Sequence, residues 1–276
     1  LHAAVVAVER EVLDRDLWRE QPVDPGVGSL GVRRAGRDAV VVHPQFGGRR
    51  AQRPHPLVRV PAVVGDASEG LSGVTVHEPK KGLAEGNAVD YLIKTLSTAK
   101  PHSITIAMLG PQTNLALALT QAPEITQGIK EVVVMGGAHF NGGNITPVAE
   151  FNLFADPHAA EVVLKSGANL VYLPLDVTHK ILTSDARLAA IQALGNRAGG
   201  LVIDILNEYV KLDMEHYGLP GGPIHDASVI AYLLQPHLFQ GRDCNVTIEV
   251  GSELTMGMTG VDWWGVTQRP HNARVM

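Results

Sequence analysis

The order of apolar and polar residues changes along the chain, and the changes mark its elements. Asn87 can cap a helix whose apolar residues Ala88, Tyr91, Leu92 and Leu96 recur near the 3.6-residue period. Ser103–Met108 reads instead as a short buried strand closed by Gly110-Pro111, and a helix carrying Leu115, Leu117 and Leu119 follows. Glu131–Met135 is a second apolar run, ended by Gly136-Gly137. Asp156-Pro157 has the make-up of a helix start, an Asp cap followed by an early proline. Asn169–Leu175 reads as the next strand, Thr183–Ala193 and Leu201–His216 as helices with Ser184 a possible cap, and Asp226–Leu234 as a short apolar helix. Asn245–Val250 alternates with period two and suits a strand. Strands and helices alternating at this spacing predict an α/β fold, an open, mainly parallel sheet with helices on both faces. Ligands of such sheets bind beyond the carboxyl ends of the strands, so polar clusters that follow strand ends are the candidates for chemistry.

Residues 1–73 read differently. They hold ten Arg and no Lys, while the remainder holds eight Lys and five Arg. The first part carries +1 and the rest −6, which together make the net charge of −5. Glycine and proline are scattered through the Arg-only stretch, and its only helix-like piece is roughly Ala3–Glu20. Two readings stay open, a solvated, loop-rich leader or a rearranged N-terminal part of the domain that follows.

Composition narrows the function classes. With 45% apolar residues over 276 positions the chain has ample material for a core. A pI near 6.2 gives no global field for nucleic acid or anionic membrane, and basic and aromatic residues do not interleave. The single Cys244 excludes a disulfide within the chain and a cysteine-based zinc site. No apolar run approaches the roughly 20 residues of a bilayer span. Leu1–Val8 lacks a basic flank, so no signal peptide is expected and the cytoplasm is the expected compartment.

Four clusters could carry chemistry. Leu109-Gly110-Pro111-Gln112-Thr113-Asn114 is a strand-to-helix turn in which Thr113 or Asn114 could cap the helix, and the Leu109 carbonyl could serve a hard cation. Gly142-Gly143-Asn144-Ile145-Thr146-Pro147 leads into Glu150-Phe151-Asn152. Two amides and a carboxylate at that spacing can bracket vicinal hydroxyls, with Phe151 walling a sugar. The bland reading is a glycine loop before an edge strand. His225-Asp226 precedes a helix; Asp226 can be its N-cap or a cation ligand, and His225 a solvated histidine or a proton carrier. Asp24-Pro25-Gly26 is by itself a turn. Trp263-Trp264 reads as packing, and no Gly-x-Gly-x-x-Gly, Walker or Gly-x-Ser-x-Gly motif is present.

Taken together, these pieces resemble the inosine–uridine-preferring nucleoside hydrolase family, which includes pyrimidine-specific ribonucleoside hydrolases. The resemblance runs from about His55 to Met276 and includes Pro56-Leu57-Val58-Arg59, Val134-Met135-Gly136-Gly137, Leu175-Asp176-Val177-Thr178-His179-Lys180 and Gly257-Met258-Thr259. It implies a calcium-dependent N-glycosidase that cleaves ribonucleosides to ribose and free base, working as a homo-oligomer, dimer or tetramer. On the matching positions, Asp24, the Leu109 carbonyl and Asp226 hold calcium. Asp24 is the base, Asn144, Glu150 and Asn152 hold the ribose, and His225 stands near the departing base. Residues 54–276 are then the hydrolase-like domain and 1–53 its divergent N-terminal part.

The N-terminal part departs from the family's Asp-x-Asp-Pro-Gly-x-Asp-Asp pattern. The window reads Pro22-Val23-Asp24-Pro25-Gly26-Val27-Gly28-Ser29, so only Asp24 remains. A relative that binds ribose or nucleoside without cleaving it is therefore the alternative. Purine or pyrimidine preference is left to loops such as 215–222.

Overall fold

The computed structural model describes residues 86–276, without the side chains of 208–217, and before them the backbone of three strands. Those strands are β1 (Ala4–Val8), β2 (Val32–Ala35) and β3 (Ala39–Val42). The centre of the sheet is β4 (Ile104–Met108), β5 (Ile129–Met135) and β6 (Leu170–Leu173). Its far side is β7 (Arg242–Ile248), β8 (Thr259–Asp262) and β9 (Ala273–Val275). The nine strands run in the order β2-β3-β1-β4-β5-β6-β9-β7-β8. From β3 across β1, β4, β5 and β6 to β9 all neighbours are parallel, and only the two margins are antiparallel. The sheet is thus open and mainly parallel, as its sequence pattern predicts.

Period-two alternation in the buried strands divides the core. Ile106 and Met108 of β4, Val132 and Val134 of β5, and Leu170 and Tyr172 of β6 face one apolar cluster. Ala107, Val133, Met135, Val171 and Leu173 face the other. The first is covered by α1 (Ala88–Ser97), α2 (Thr113–Gln121) and α4 (Pro157–Leu164), the second by α5 (Leu175–Thr178) and α8 (Asp226–Leu234). Helices on both faces follow, and each fully buried Leu or Ile is worth roughly 1.5–3 kcal/mol.

Caps were legible in part. Asn87 accepts from Asp90 N–H, Asp156 from Ala159 N–H ahead of Pro157, and Ser184 from Arg187 N–H at the start of α6 (Asp185–Gln192). Thr113 and Asn114 do not cap α2. Gln112 occupies the cap position without a side-chain bond, and Thr113 Oγ1 instead donates to Asp156 Oδ2 at 2.6 Å, tying α2 to the head of α4. Leu117 lies on the outer face of α2, 44% exposed, because only Leu115 and Leu119 share the core stripe.

Other expectations need correction. Ala4–Val8 is a strand and not the start of a helix, since the β-branched run AVVAV pairs with β3 and β4; the rest of the Ala3–Glu20 piece lies outside the described residues. The strand at 169–175 stops at Leu173, where Pro174 turns the chain into α5. The helix expected at 201–216 is longer, α7 (Arg197–Tyr217). Trp263 packs against the first cluster, whereas Trp264 is 76% exposed.

Candidate active site

Parallel strands end on the same side, so β4, β5 and β6 deliver Leu109, Gly136-Gly137 and Pro174-Leu175-Asp176 to one edge. The loop after β5 returns as α3 (Phe151–Ala155), not as an edge strand. Only an isolated bridge, Ala149 with Met258, remains of the strand alternative. The reason is Glu150, whose side chain caps the helix: Oε1 accepts from Asn152 N–H at 2.8 Å and Oε2 from Leu153 N–H at 3.2 Å.

Glu150 also accepts from Gly137 N–H at 3.1 Å, so it joins both ends of the loop. The carboxyl is buried, and burial pushes its pKa up to about 7; the three backbone N–H groups act against the rise and the nearby charge of Asp226 adds to it. Asn152 is buried beside it and donates through Nδ2 to the Met135 carbonyl at 3.1 Å. Asn144 Oδ1 accepts from Phe151 N–H at 2.9 Å. Asn144 and Glu150 thus both bond the first backbone N–H groups of α3, to which Phe151 and Asn152 belong. Gly143 is required by close approach, since a Cβ there would meet Ala149 O at 2.2 Å and Thr146 O at 2.3 Å.

Asp176 is a residue whose role the sequence pattern did not reveal beyond its place in the motif. Its carboxylate accepts from three successive backbone N–H groups, His139 at 2.8 Å, Phe140 at 2.6 Å and Asn141 at 2.9 Å. It therefore fastens the first half of the loop to α5, as Glu150 fastens the second half to β5.

On the second face of the sheet, His225 sits at the N-cap position of α8 with no side-chain cap bond, and Asp226 opens the helix. The cap reading of Asp226 is thereby replaced. The Asp226 charge lies close enough to Glu150 to raise its pKa, so the two acids share one neighbourhood. His225 Nδ1 is 2.9 Å from Thr178 Oγ1, and its ring meets that of His179 edge-on at 5.7 Å between centroids. Burial lowers the His179 pKa, with Asp176 opposing, which favours a neutral neighbour for His225. Leu109 is buried at the end of β4. Asp24 lies outside the described residues, as do Gly28 and Ser29.

The donor set suits a hard cation in kind. Asp226 offers a carboxylate and Leu109 a backbone carbonyl, both oxygen donors, and a divalent ion would offset the crowding of the Asp226 and Glu150 charges. Among the described residues no group of three or more His, Cys, Asp or Glu side chains could hold a metal. The six to eight oxygens that calcium takes would therefore need donors from the N-terminal part and water.

The comparisons with known proteins agree with this architecture. The family model described as inosine-uridine preferring nucleoside hydrolase matches residues 30–276. An uncharacterised protein of Schizosaccharomyces pombe is 47% identical over 219 residues, 79% of this chain and 71% of that protein. The pyrimidine-specific ribonucleoside hydrolase RihB of Shigella flexneri is 41% identical over 228 residues, 82% of this chain and 72% of its own. Among solved structures, a purine-preferring ribonucleoside hydrolase from Gardnerella vaginalis superimposes with a TM-score of 0.70 at 26% identity, over 82% of this chain and 71% of that one. A plant nucleoside hydrolase shares the fold, with a TM-score of 0.68 at 24% identity over 79% of this chain and 70% of its own. Among the described residues no helix is long and apolar enough to cross a membrane. The chain belongs to the inosine-uridine preferring nucleoside hydrolase family.

Proposed function

We propose that this protein hydrolyses the N-glycosidic bond of ribonucleosides, releasing ribose and the free base. The observation that carries the reading is the grouping of half-buried Asn144 with buried Glu150 and Asn152 around the start of α3 at the sheet's carboxyl edge, with Glu150 within electrostatic reach of Asp226. Cleavage of the C1′–N bond builds positive charge on the ribose ring. As a carboxylate, Glu150 stabilises that charge across the pocket. Asn144 and Asn152 orient the sugar through their amides, and Phe151 walls it. Asp24 accepts the proton of the attacking water, and His225 delivers a proton to the departing base.

Calcium, held by Asp226, the Leu109 carbonyl and Asp24, would lower the pKa of a water and orient it. The 41% identity to a pyrimidine-specific relative, against 26% to a purine-preferring one, supports uridine as the first substrate to try. A homo-oligomer, dimer or tetramer, in the cytoplasm completes the reading. Support for self-association comes from Phe140, Trp264 and Val266, exposed and lining one groove; light scattering would reveal a monomer if that part is wrong. The function is tested by ribose release from uridine and inosine, with calcium and with chelator. Calcium-dependent release of ribose is expected. Binding of nucleoside with no release under either condition would overturn hydrolysis in favour of a binding relative.

A further inference from the structure

Helix α5 is only four residues long, yet it carries two side chains that reach different parts of the site. Asp176 holds the backbone of His139, Phe140 and Asn141, and Thr178, two residues later, meets the ring of His225. We propose that Thr178 is a positioning residue for departure of the base, its hydroxyl aiming the His225 imidazole at the leaving group. This rests on the reading of His225 given above. Thr178 is fully buried, so its hydroxyl is held by its surroundings and not by solvent. A hydroxyl can donate to a bare ring nitrogen or accept from a protonated one, so a single contact at Nδ1 keeps the ring in place through both of its states. With Nδ1 held, Nε2 is directed to the opposite side of the ring. The other anchor of α5, Asp176, ties the same short helix to the loop that leads to Asn144 and Glu150. The orientation of His225 is thereby referred to the ribose pocket. The ring of His179, on the residue after α5, meets the His225 ring from the neighbouring element.

A buried hydroxyl also needs a partner for stability alone, and the two roles part company in what they do to the leaving group. The full chain with calcium is assayed on uridine, whose base needs a proton to leave, and on 4-nitrophenyl β-D-riboside, whose phenolate leaves without one. Thr178→Val is expected to lower kcat/KM for uridine at least about tenfold more than for the aryl riboside, within the range general acids contribute. Thr178→Ser is expected to bring that ratio back to within about threefold of the parent, a difference of under 1 kcal/mol in barrier. His225→Ala should move the ratio in the same direction, and Thr178→Val should add little in its background. Thermal melting checks that the variants fold, and Thr178→Ala is read in the same way if Val does not. Equal losses on both substrates, or no rescue by Ser, would reduce Thr178 to a structural contact. If His225→Ala moves the ratio and Thr178→Val does not, only the role of Thr178 falls. If the ratio ignores His225, or the parent cleaves neither substrate, the reading of the site falls and the role of Thr178 with it.

Discussion

The loop from Gly136 to Asn152 and the chain from Ser184 to Gly221 both leave the same sheet edge, yet they are built in opposite ways. Carboxylates hold the first at both ends, and Asn144 bonds its return to Phe151. The second contains α6, which has no buried residue, and exposes Leu194, Leu201 and Val202. Among the described residues its neck is closed by Thr183 N–H donating to Gly222 O at 2.9 Å and Ile224 N–H to Ile181 O at 2.8 Å. Every ribonucleoside presents the same ribose and a different base. On the proposed reading, a loop fixed by main-chain bonds serves the constant part, and α6, which has no buried residue, belongs to the part that is free to vary with the base.

The largest effect is expected where the two regions meet. Asp226→Asn, which removes a proposed cation ligand beside Glu150, should lower hydrolysis about a thousandfold, roughly 4 kcal/mol of barrier. Chelation of the parent should do the same, and calorimetric titration with calcium should show weaker binding by the variant. Asp24→Asn should match it in turnover, because an amide cannot take the water's proton.

Gly143→Ala and Gly221→Ala then separate the regions. The first forces a Cβ against Ala149 and Thr146 backbone, the second against Thr183 O at 2.0 Å. Each overpacks by roughly 1–3 kcal/mol. Gly143→Ala should raise KM for every ribonucleoside alike, while Gly221→Ala, which disturbs the neck next to His225, should change kcat unequally between uridine and inosine. Parallel changes in both variants, measured by steady-state kinetics, would erase the distinction.

Glu150→Gln should cost about 2 kcal/mol of stability, since one of three backbone N–H groups then faces an amide instead of an acceptor. It should also weaken ribose binding while leaving some turnover. The Glu150 pKa is raised, so between its ordinary value near 4.5 and about 7 the folded state holds a proton that the unfolded state has lost. In chelator, stability contributed by this group is therefore full below about pH 4.5 and declines as pH rises through 7. Melting curves of the parent should show that decline, and Glu150→Gln should flatten it. The smallest effect is expected on the second region, where Leu194→Ser or Leu201→Ser should shift stability by less than about 0.5 kcal/mol.

Much of this could be read before any coordinates. The apolar runs ITIAM, EVVVM and LVYL gave the central strands because buried parallel strands are apolar on both faces. Asn87, Asp156 and Ser184 declared their helices because capping is local chemistry. The cap at Gln112 was missed because Thr113 was taken by Asp156, a partner 43 residues away that no local pattern reveals. For the same reason the sequence pattern presents Glu150 as a sugar ligand or as part of an edge strand, and not as the residue that caps α3 and fastens Gly137. The pairing of Thr178 with His225 spans 47 residues and two elements, and only the path of the sheet brings them together. The start of β1 was misread as helical because AVVAV is too short to display a period, and its partners, β3 and β4, are distant in sequence.

The account stands on the fixed loop as the ribose site. The direct test compares kcat/KM for uridine and 2′-deoxyuridine in the parent and in Asn144→Ala, with calcium present. A site whose buried polar groups are built around sugar hydroxyls should reject the deoxy substrate by at least about a hundredfold, and Asn144→Ala should narrow that gap. Equal rates on the two substrates, unchanged by the substitution, would contradict it.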